Sequence, residues 1–482
     1  VKLVKNFLSL AGAEIVSKLV TFAAFAYLAR VMGPEGFGYV EFAGTVLLCA
    51  ALIVEQGFSP YGAREIAKEP RSTPALVAQI VLARFVLAIS AYTAMLAFAV
   101  FVGPSPLAAR LLMIYGLSLL VMPLLLQWVF QGHDKMQTVA VVQLIRQTVF
   151  AAIVFALVRG ASQIHLVAVA EVAGVCMAAA YCVLMYKRRF GSIFEGRSRL
   201  SRRLFREGGT IGLSQVFWMV RLYGASLVFG LIASAEDMGF FAGAMRILVA
   251  SHTFIWLYYF NLLPSLSRAW QQDNGAFAGL INRSLHGVAW IAAAGALVWV
   301  LVSPLAMVGV YGQAFEPAGA TLQWLGGVCV FAALSGHYRF GLIAAGRQTA
   351  EMATAGLGAV IALFGIPFGH ALAGPKGAAM ALFASEAAVA LSAWWCGSHI
   401  LGLKGHANLL SRPALAAVIS AGVLWMLPFP TRAVQALIAV ATMAVLACLL
   451  DVTVRERICQ LAVKQCRWIR QWLNKDVPET PR

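Results

Sequence analysis

The sequence predicts an all-α polytopic membrane protein of about 14 transmembrane helices, arranged as two six-helix lobes plus two peripheral C-terminal helices. Three observations carry this expectation. Of the 482 residues, 61% are hydrophobic and only 12% charged, against roughly 45–50% and about 25% in soluble domains. Such a surface cannot be solvated as that of a soluble enzyme, a disordered chain or a nucleic-acid binder. The apolar residues also fall into runs of the ~20 positions that a helical span requires. Finally, the positive charges sort cleanly by side of the membrane.

Spans are expected near 9–28, 38–57, 76–102, 111–130, 138–158 and 164–186. After a break they continue near 209–232, 239–263, 283–302, 321–345, 350–373, 376–402, 410–428 and 431–450. Lys2 and Lys5 before the first run resemble a signal peptide, but Glu14 and Lys18 interrupt it, so a retained first helix is expected. An even count puts both termini on one side. With that side cytoplasmic, 26 of the 37 cations fall on cytoplasmic segments. Five fall outside (Arg30, Arg110, Arg159, Lys376, Arg432) and six inside spans, a strong positive-inside pattern.

The chain divides into an N-lobe (1–186), a basic cytoplasmic linker (187–208), a C-lobe (209–402), a peripheral pair of spans (403–450) and a basic tail (451–482). Lys187, Arg188, Arg189, Arg197, Arg199, Arg202, Arg203 and Arg206 make the linker a topology anchor beside anionic lipid. Val454, Ile458, Leu461, Trp468 and Trp472 recur at helical spacing between cations, which suits an amphipathic helix on the inner surface. Ser59–Ala75 has a similar character. Arg432 is the only charge from Pro413 to Leu450, so the last two spans are expected to face lipid.

Two echoes suggest an internal repeat. Gly38-Tyr39-Val40-Glu41-Phe42-Ala43 is matched, 201 residues on, by Gly239-Phe240-Phe241-Ala242-Gly243-Ala244. Gly132 before Lys135 is matched by Gly346 before Arg347. Repeats of this kind place transporter substrate sites between halves.

The eight cysteines and eight histidines show no metal-ligand spacing, and no nucleophile–base pair or nucleotide loop is present, so neither metal nor cofactor is expected. The chemistry lies in charges within spans. Lys18, Arg84, Arg146, Arg221, Arg246 and Arg339 would each cost about 2.5–3.5 kcal/mol facing lipid at a helix centre. They must snorkel, pair or face water. Lys18 and Arg221 are deepest, about 13 and 18 Å in at 1.5 Å per residue, and occupy nearly equivalent positions in the first helix of each lobe. They, with Arg84, Arg146, Arg246 and Arg30, are the candidates for a cationic, anion-binding cavity. The alternative is ion pairing: Glu14 lies one turn before Lys18. Glu14, Glu55, Glu171 and Glu386 are candidates either for those pairs or for carrying a coupling proton.

Several segments carry a family resemblance. Tyr27-Leu28-Ala29-Arg30-Val31-Met32-Gly33-Pro34-Glu35-Gly36-Phe37-Gly38 resembles the first interhelical turn of bacterial polysaccharide transporters. Gly57-Phe58 with Ala63-Arg64-Glu65-Ile66-Ala67, Trp128-Val129-Phe130-Gln131-Gly132-His133-Asp134-Lys135-Met136, the run 239–244 and Gly346-Arg347-Gln348 are similar to later segments, in order along nearly the whole chain. The family is the Wzx-type O-antigen and polysaccharide repeat-unit flippases of the MOP superfamily. The resemblance implies a MATE-like fold of two six-helix lobes in a bacterial inner membrane, working by alternating access, with no enzymatic activity. Its implied substrate is an undecaprenyl-pyrophosphate-linked oligosaccharide moved to the outer leaflet, with proton or sodium coupling. Membrane lipids and the polysaccharide polymerase and chain-length machinery are implied partners; nucleic acid is not.

A carboxylate that family members often carry in the seventh helix falls here on Gly224, which weakens a coupling scheme through that position. A MATE-type drug exporter is a rival on the same fold, but its cationic substrates would favour an excess of deep carboxylates. A lipid II flippase is closer in chemistry. A membrane glycosyltransferase or polymerase would need a long outer loop, and the longest expected, 303–320, holds only Glu316 as a charge.

Overall fold

The computed structural model describes residues 2–101, 103, 105–193, 204–206, 223–403, 405–426 and 431–456. Among them no strand occurs and 11 helices are long and apolar enough to cross a membrane. In chain order the helices are α1 (Lys2–Glu55), α2 (Phe58–Lys68), α3 (Thr73–Phe101), α4 (Pro106–Val121), α5 (Gln127–Gly132), α6 (Met136–Leu157) and α7 (His165–Phe190). Then follow α8 (Tyr223–Ile232), α9 (Ala235–Gln272), α10 (Asn274–Tyr311), α11 (Ala318–Ala344), α12 (Gln348–Ile400), α13 (His406–Met426) and α14 (Arg432–Leu450). The chain is a multi-pass, all-helical membrane protein. Two of the crossing helices are double. The first two expected spans form one helix broken only at Gly33 (φ 71°, ψ 179°), and the eleventh and twelfth form one broken only at Ala373 and Gly374. Each break precedes a proline, Pro34 or Pro375, whose ring excludes the preceding residue from helical geometry. The two expected loops are therefore Gly-Pro hinges.

Other boundaries also move. The fourth span stops at Val121, and the backbone tightens through Met122–Leu124 around Pro123 before α5. The interfacial stretch 59–75 is instead α2, a short turn at Pro70–Ser72, and the start of α3 at Thr73. One face of α2 buries Phe58, Tyr61 and Ile66 against Trp128 and Phe130 of α5, while Arg64 and Lys68 stay exposed. The long outer loop expected at 303–320 does not exist as such. Helix α10 runs on to Tyr311 and α11 starts at Ala318, with a single turn at Gln313–Phe315 between them. Lys187, Arg188 and Arg189 of the linker form the last turn of α7, where cations complement the helix dipole. Most of the remaining linker, and the amphipathic tail beyond 456, lie outside the described residues.

The chain forms two compact units. The first comprises 1–246, 307–321 and 359–382; the second comprises 247–306, 322–358 and 383–482. The core of the first packs α2, α3, α5, α6 and α7 around Trp128, Phe130 and Tyr186. The second has one core around Phe277, Tyr338 and Leu342, and another where Trp290 of α10 meets Ala416, Met443 and Ala447 of α13 and α14. The last two spans are not purely lipid-facing: Asp451, just past α14, accepts from His286 and from Trp290 Nε1 at 3.1 Å.

Both echoes have local counterparts in the backbone, although at the second Asp134, not Gly132, stands in the position of Gly346. At the Gly132 echo, the Lys135 N–H bonds Phe130 O at 2.8 Å and Asp134 N–H bonds Gln131 O at 3.0 Å. At its counterpart, Arg347 N–H bonds Leu342 O at 2.8 Å and Gly346 N–H bonds Ile343 O at 3.1 Å. Both are helix ends closed by the same pair of reversed hydrogen bonds, with Asp134 (φ 61°) and Gly346 (φ 72°) in the left-handed position. At the other echo the two copies meet. A methyl group on Gly38 would overlap the Ala235 carbonyl, and one on Gly239 would overlap the Pro34 carbonyl. The offset of 201 maps Pro34 onto Ala235 and Gly38 onto Gly239, so α1 and α9 cross backbone to backbone about a local two-fold.

Candidate functional site

The charged groups of the first unit are arranged along a polar seam. On α1, Glu14, Lys18, Thr21 and Phe25 share one helix face, spaced to follow the 3.6-residue turn. They meet Gln143, Gln147 and Phe150 on the matching face of α6. Gln143 Nε2 donates to Glu14 at 2.6 Å, Thr21 Oγ1 bonds Gln147 Oε1 at 2.9 Å, and Phe25 stacks on Phe150 at 5.5 Å. Lys18 lies 3.4 Å from Glu14, and its side chain is 60% exposed.

Beside this seam Arg146 of α6 pairs with Glu171 of α7 at 2.5 Å. Arg246 of α9 pairs with Glu41 at 2.6 Å, and its guanidinium lies 3.5 Å from the Phe25 ring centroid, a close cation–π contact. The buried Tyr115 hydroxyl is within electrostatic reach of Glu171, Glu41 and Arg246, which places these charges in one cluster. Arg84, 4% exposed, pairs with Glu55 across α3 and the end of α1. Its Nε and Nη1, and Nε of Arg146, are buried donors without an acceptor among the described residues.

The candidates thus divide by geometry. Lys18, Arg84 and Arg146 stand opposite Glu14, Glu55 and Glu171, so three of the four coupling candidates are the partners of three cavity candidates. Arg30 is elsewhere: its guanidinium donates to the carbonyls of Val310, at 2.8 Å, and Gly309, closing the C-terminal end of α10. Glu386 belongs to the second unit, where its Oε1 is buried with no hydrogen-bond partner among the described residues, in the neighbourhood of Cys329. Arg221 lies outside the described residues. Arg339 pairs with Glu351 through Nε and Nη2, at 3.2 and 2.6 Å.

Sequence reasoning missed Glu41 as a partner. It is the fourth residue of an expected span, a position that by itself marks a carboxylate in need of a cation. The histidines were also undervalued. His133, in the turn after α5, bonds Thr73 Oγ1 at 3.0 Å and stacks on Phe190. Burial, with Arg189 and Lys135 nearby, holds its imidazole below the usual range. His337 is fully buried in the second unit among hydroxyls. No group of three or more potential metal ligands occurs among the described residues.

Residues 3–270 match the model of a family described as polysaccharide biosynthesis protein. The chain belongs to that family. No curated protein sequence matches it. Among solved structures, it resembles a lipid II flippase, MurJ, in an inward closed conformation. The TM-score is 0.73 at 12% identity, over 93% of this chain and 99% of that one. It also resembles an inward-facing MATE-family multidrug resistance transporter of the MOP superfamily, with TM-score 0.65 at 13% identity, over 82% and 98%. A MOP-superfamily transporter from Pyrococcus furiosus, whose binding pocket is described as having reversed polarity, gives 0.51 at 12% identity, over 83% and 95%. At these identities the likeness is one of fold. The family member described here therefore carries the MOP-superfamily transporter fold.

Proposed function

We propose that this protein is a flippase that carries an undecaprenyl-pyrophosphate-linked oligosaccharide from the cytoplasmic to the outer leaflet of a bacterial inner membrane, by alternating access. The family match supports the link to polysaccharide biosynthesis, and the MurJ-like fold supports a lipid-linked cargo. The observation that carries the reading is the row of embedded arginines in the first unit. Each of Arg84, Arg146 and Arg246 has one carboxylate, but a guanidinium has five donors, and Arg84 and Arg146 keep donors with no acceptor among the described residues. A pyrophosphate offers acceptors in the forked geometry that arginine matches, and charge-assisted hydrogen bonds replace its hydration in a low-dielectric setting. Lys18, the most open of these cations, would make first contact, with Arg221 as its counterpart in the C-lobe. Membrane lipids would bathe the prenyl tail, and the polymerase and chain-length machinery would receive the glycan.

The test is deletion of the gene followed by analysis of accumulated lipid-linked intermediates. An undecaprenyl-pyrophosphate oligosaccharide is expected. Accumulated lipid II would support the neighbouring reading that the MurJ-like fold favours and would overturn this one. Complementation with Lys18→Ala and Arg221→Ala should insert normally and lower surface polysaccharide. Wild-type levels from both would sink the cationic route.

A further inference from the structure

The second unit holds a hydrogen-bonded chain whose direction can be deduced. Tyr258 and Tyr259 of α9, Ser284 of α10 and His337 of α11 form it. Tyr258 Oη and Ser284 Oγ are 2.5 Å apart, Ser284 Oγ and His337 Nε2 are 2.8 Å apart, and Tyr259 Oη and His337 Nδ1 are 2.8 Å apart. Tyr259 Oη also contacts the Ala333 carbonyl, which can only accept, so the Tyr259 proton points there. Tyr259 oxygen must then accept from His337 Nδ1–H. The Leu334 carbonyl, 3.3 Å from Nδ1, requires the same tautomer. With Nδ1 protonated, neutral His337 has Nε2 as a bare acceptor, filled by Ser284 O–H, which leaves Ser284 oxygen to accept from Tyr258 O–H. Every donor in the chain points one way.

The two ends differ. The inner end stops at a backbone carbonyl, a dead end for a proton. The outer end is Tyr258, 41% exposed. From it Asn261, Ser265 and Arg268 continue along one face of α9 at spacings of three, four and three residues, and Arg268 Nη2 donates to Ser265 at 3.2 Å. A polar stripe thus leads from the relay toward the charged end of the helix. His337 itself is 0% exposed. The ionisable groups around it are Tyr258 and Tyr259 of α9, Arg283 of α10, which bonds Gly279 O, Tyr338 of α11, and Arg339 with its partner Glu351 of α12. Arg339 is neutralised by Glu351, which leaves Arg283, exposed and bonded to a carbonyl rather than a carboxylate, as the cation in this set that opposes a second one at His337.

We infer that His337 is a reversible proton-binding site, loaded through Tyr258 and Ser284. Loading moves the Ser284 hydroxyl proton to His337 Nε2 and the Tyr258 hydroxyl proton to Ser284 oxygen. A hydronium ion reaching the outer end along the polar stripe of Asn261, Ser265 and Arg268 would give its proton to Tyr258 and leave as water. The product is an imidazolium donating from both nitrogens. Because the inner end is closed, the proton leaves as it came: the site loads and unloads rather than leaks. If the transport reading above holds, a site of this kind would seat the coupling ion, and that ion would be a proton.

The full-length protein in liposomes, labelled with ¹⁵N-histidine, tests this without any cargo. Ring signals of His337 are assigned by their loss in His337→Gln. In the wild type they should show the Nδ1–H tautomer near pH 8 and convert reversibly to imidazolium as pH falls toward 5. Tyr258→Phe should slow Nε2 proton exchange at least tenfold, and Ser284→Ala should slow it further while leaving Nδ1 unchanged. A ring that stays neutral through that range in the wild type overturns the proposal, whether or not the variants fold. So does exchange that neither variant alters. A titrating His337 in a protein shown to move no lipid-linked glycan would leave the proton site standing and remove only the transport reading.

Discussion

The two units solve the problem of polar groups in a membrane differently. The first uses full charges held in pairs: Arg84 with Glu55, Arg146 with Glu171, Arg246 with Glu41. Among the described residues the second has one such pair, Arg339 with Glu351, together with a neutral network of hydroxyls around His337 and a carboxylate, Asp451, held by Trp290 and His286. The contrast teaches where charge is expensive to disturb. Removing one partner of a buried ion pair leaves an uncompensated charge, whereas a neutral network loses only hydrogen bonds.

The largest effect should follow from splitting a pair in the first unit. Arg84→Ala strands Glu55 and should destabilise the protein by about 3–5 kcal/mol, while Arg84→Met with Glu55→Gln should recover most of that. Thermal unfolding in detergent, with single and double variants compared as a cycle, measures it. Equal losses in single and double variants would break the contrast between the units.

A smaller effect tests the crossing of α1 and α9. Gly38→Ala and Gly239→Ala each push a methyl group into a carbonyl of the opposite helix, and overpacking of this kind costs about 1–3 kcal/mol. By the local two-fold the two variants should behave alike, and a cross-link between cysteines placed at 35 and 236 should form less readily in both. A large loss in one variant alone would show that the repeat is not matched in function.

The smallest effect separates the units by pH. The His133 imidazole is held below its ordinary value, so the folded state disfavours its protonation. Its contribution is complete above about pH 6.5 and is lost as pH falls through the window between that and the folded value. Asp451 is the opposite kind of group. Burial pushes its carboxyl up, but hydrogen bonds from His286, Trp290 and the Val454 N–H bring it below the usual carboxylate value. Its contribution is present above about pH 4 and is lost only as pH falls further, through the folded value. Melting curves of His133→Gln should lose slope just below pH 6.5, and those of Asp451→Asn only in stronger acid. A His133→Gln slope identical to the wild type would remove the first half of the argument.

The family and the fold were legible because both rest on properties that accumulate along the chain. Hydrophobic length and the side preference of lysine and arginine identify spans regardless of how they pack, and the resemblance motif around Gly33-Pro34 marks a change of direction. Its form was not legible: nothing local distinguishes a loop from a hinge of one or two residues, and the shared helix became evident only in the backbone angles. The charged candidates show the same division. Lys18 with Glu14 is a contact within one helix, so spacing alone predicts it. Arg146 with Glu171 and Arg246 with Glu41 join residues 25 and 205 positions apart, and no periodicity encodes such a distance.

Composition and charge order by themselves determine that this chain spans a membrane many times and carries more embedded cations than lipid could tolerate. They do so because burial of apolar length and exclusion of charge act residue by residue. Which carboxylate answers which arginine, that Gly38 and Gly239 lie at one crossing, and that His337 lies between the hydroxyls of Tyr259 and Ser284 depended on the packing of distant helices. A hydrogen bond needs its partner within about 3 Å, and that condition exists only once the helices are in place.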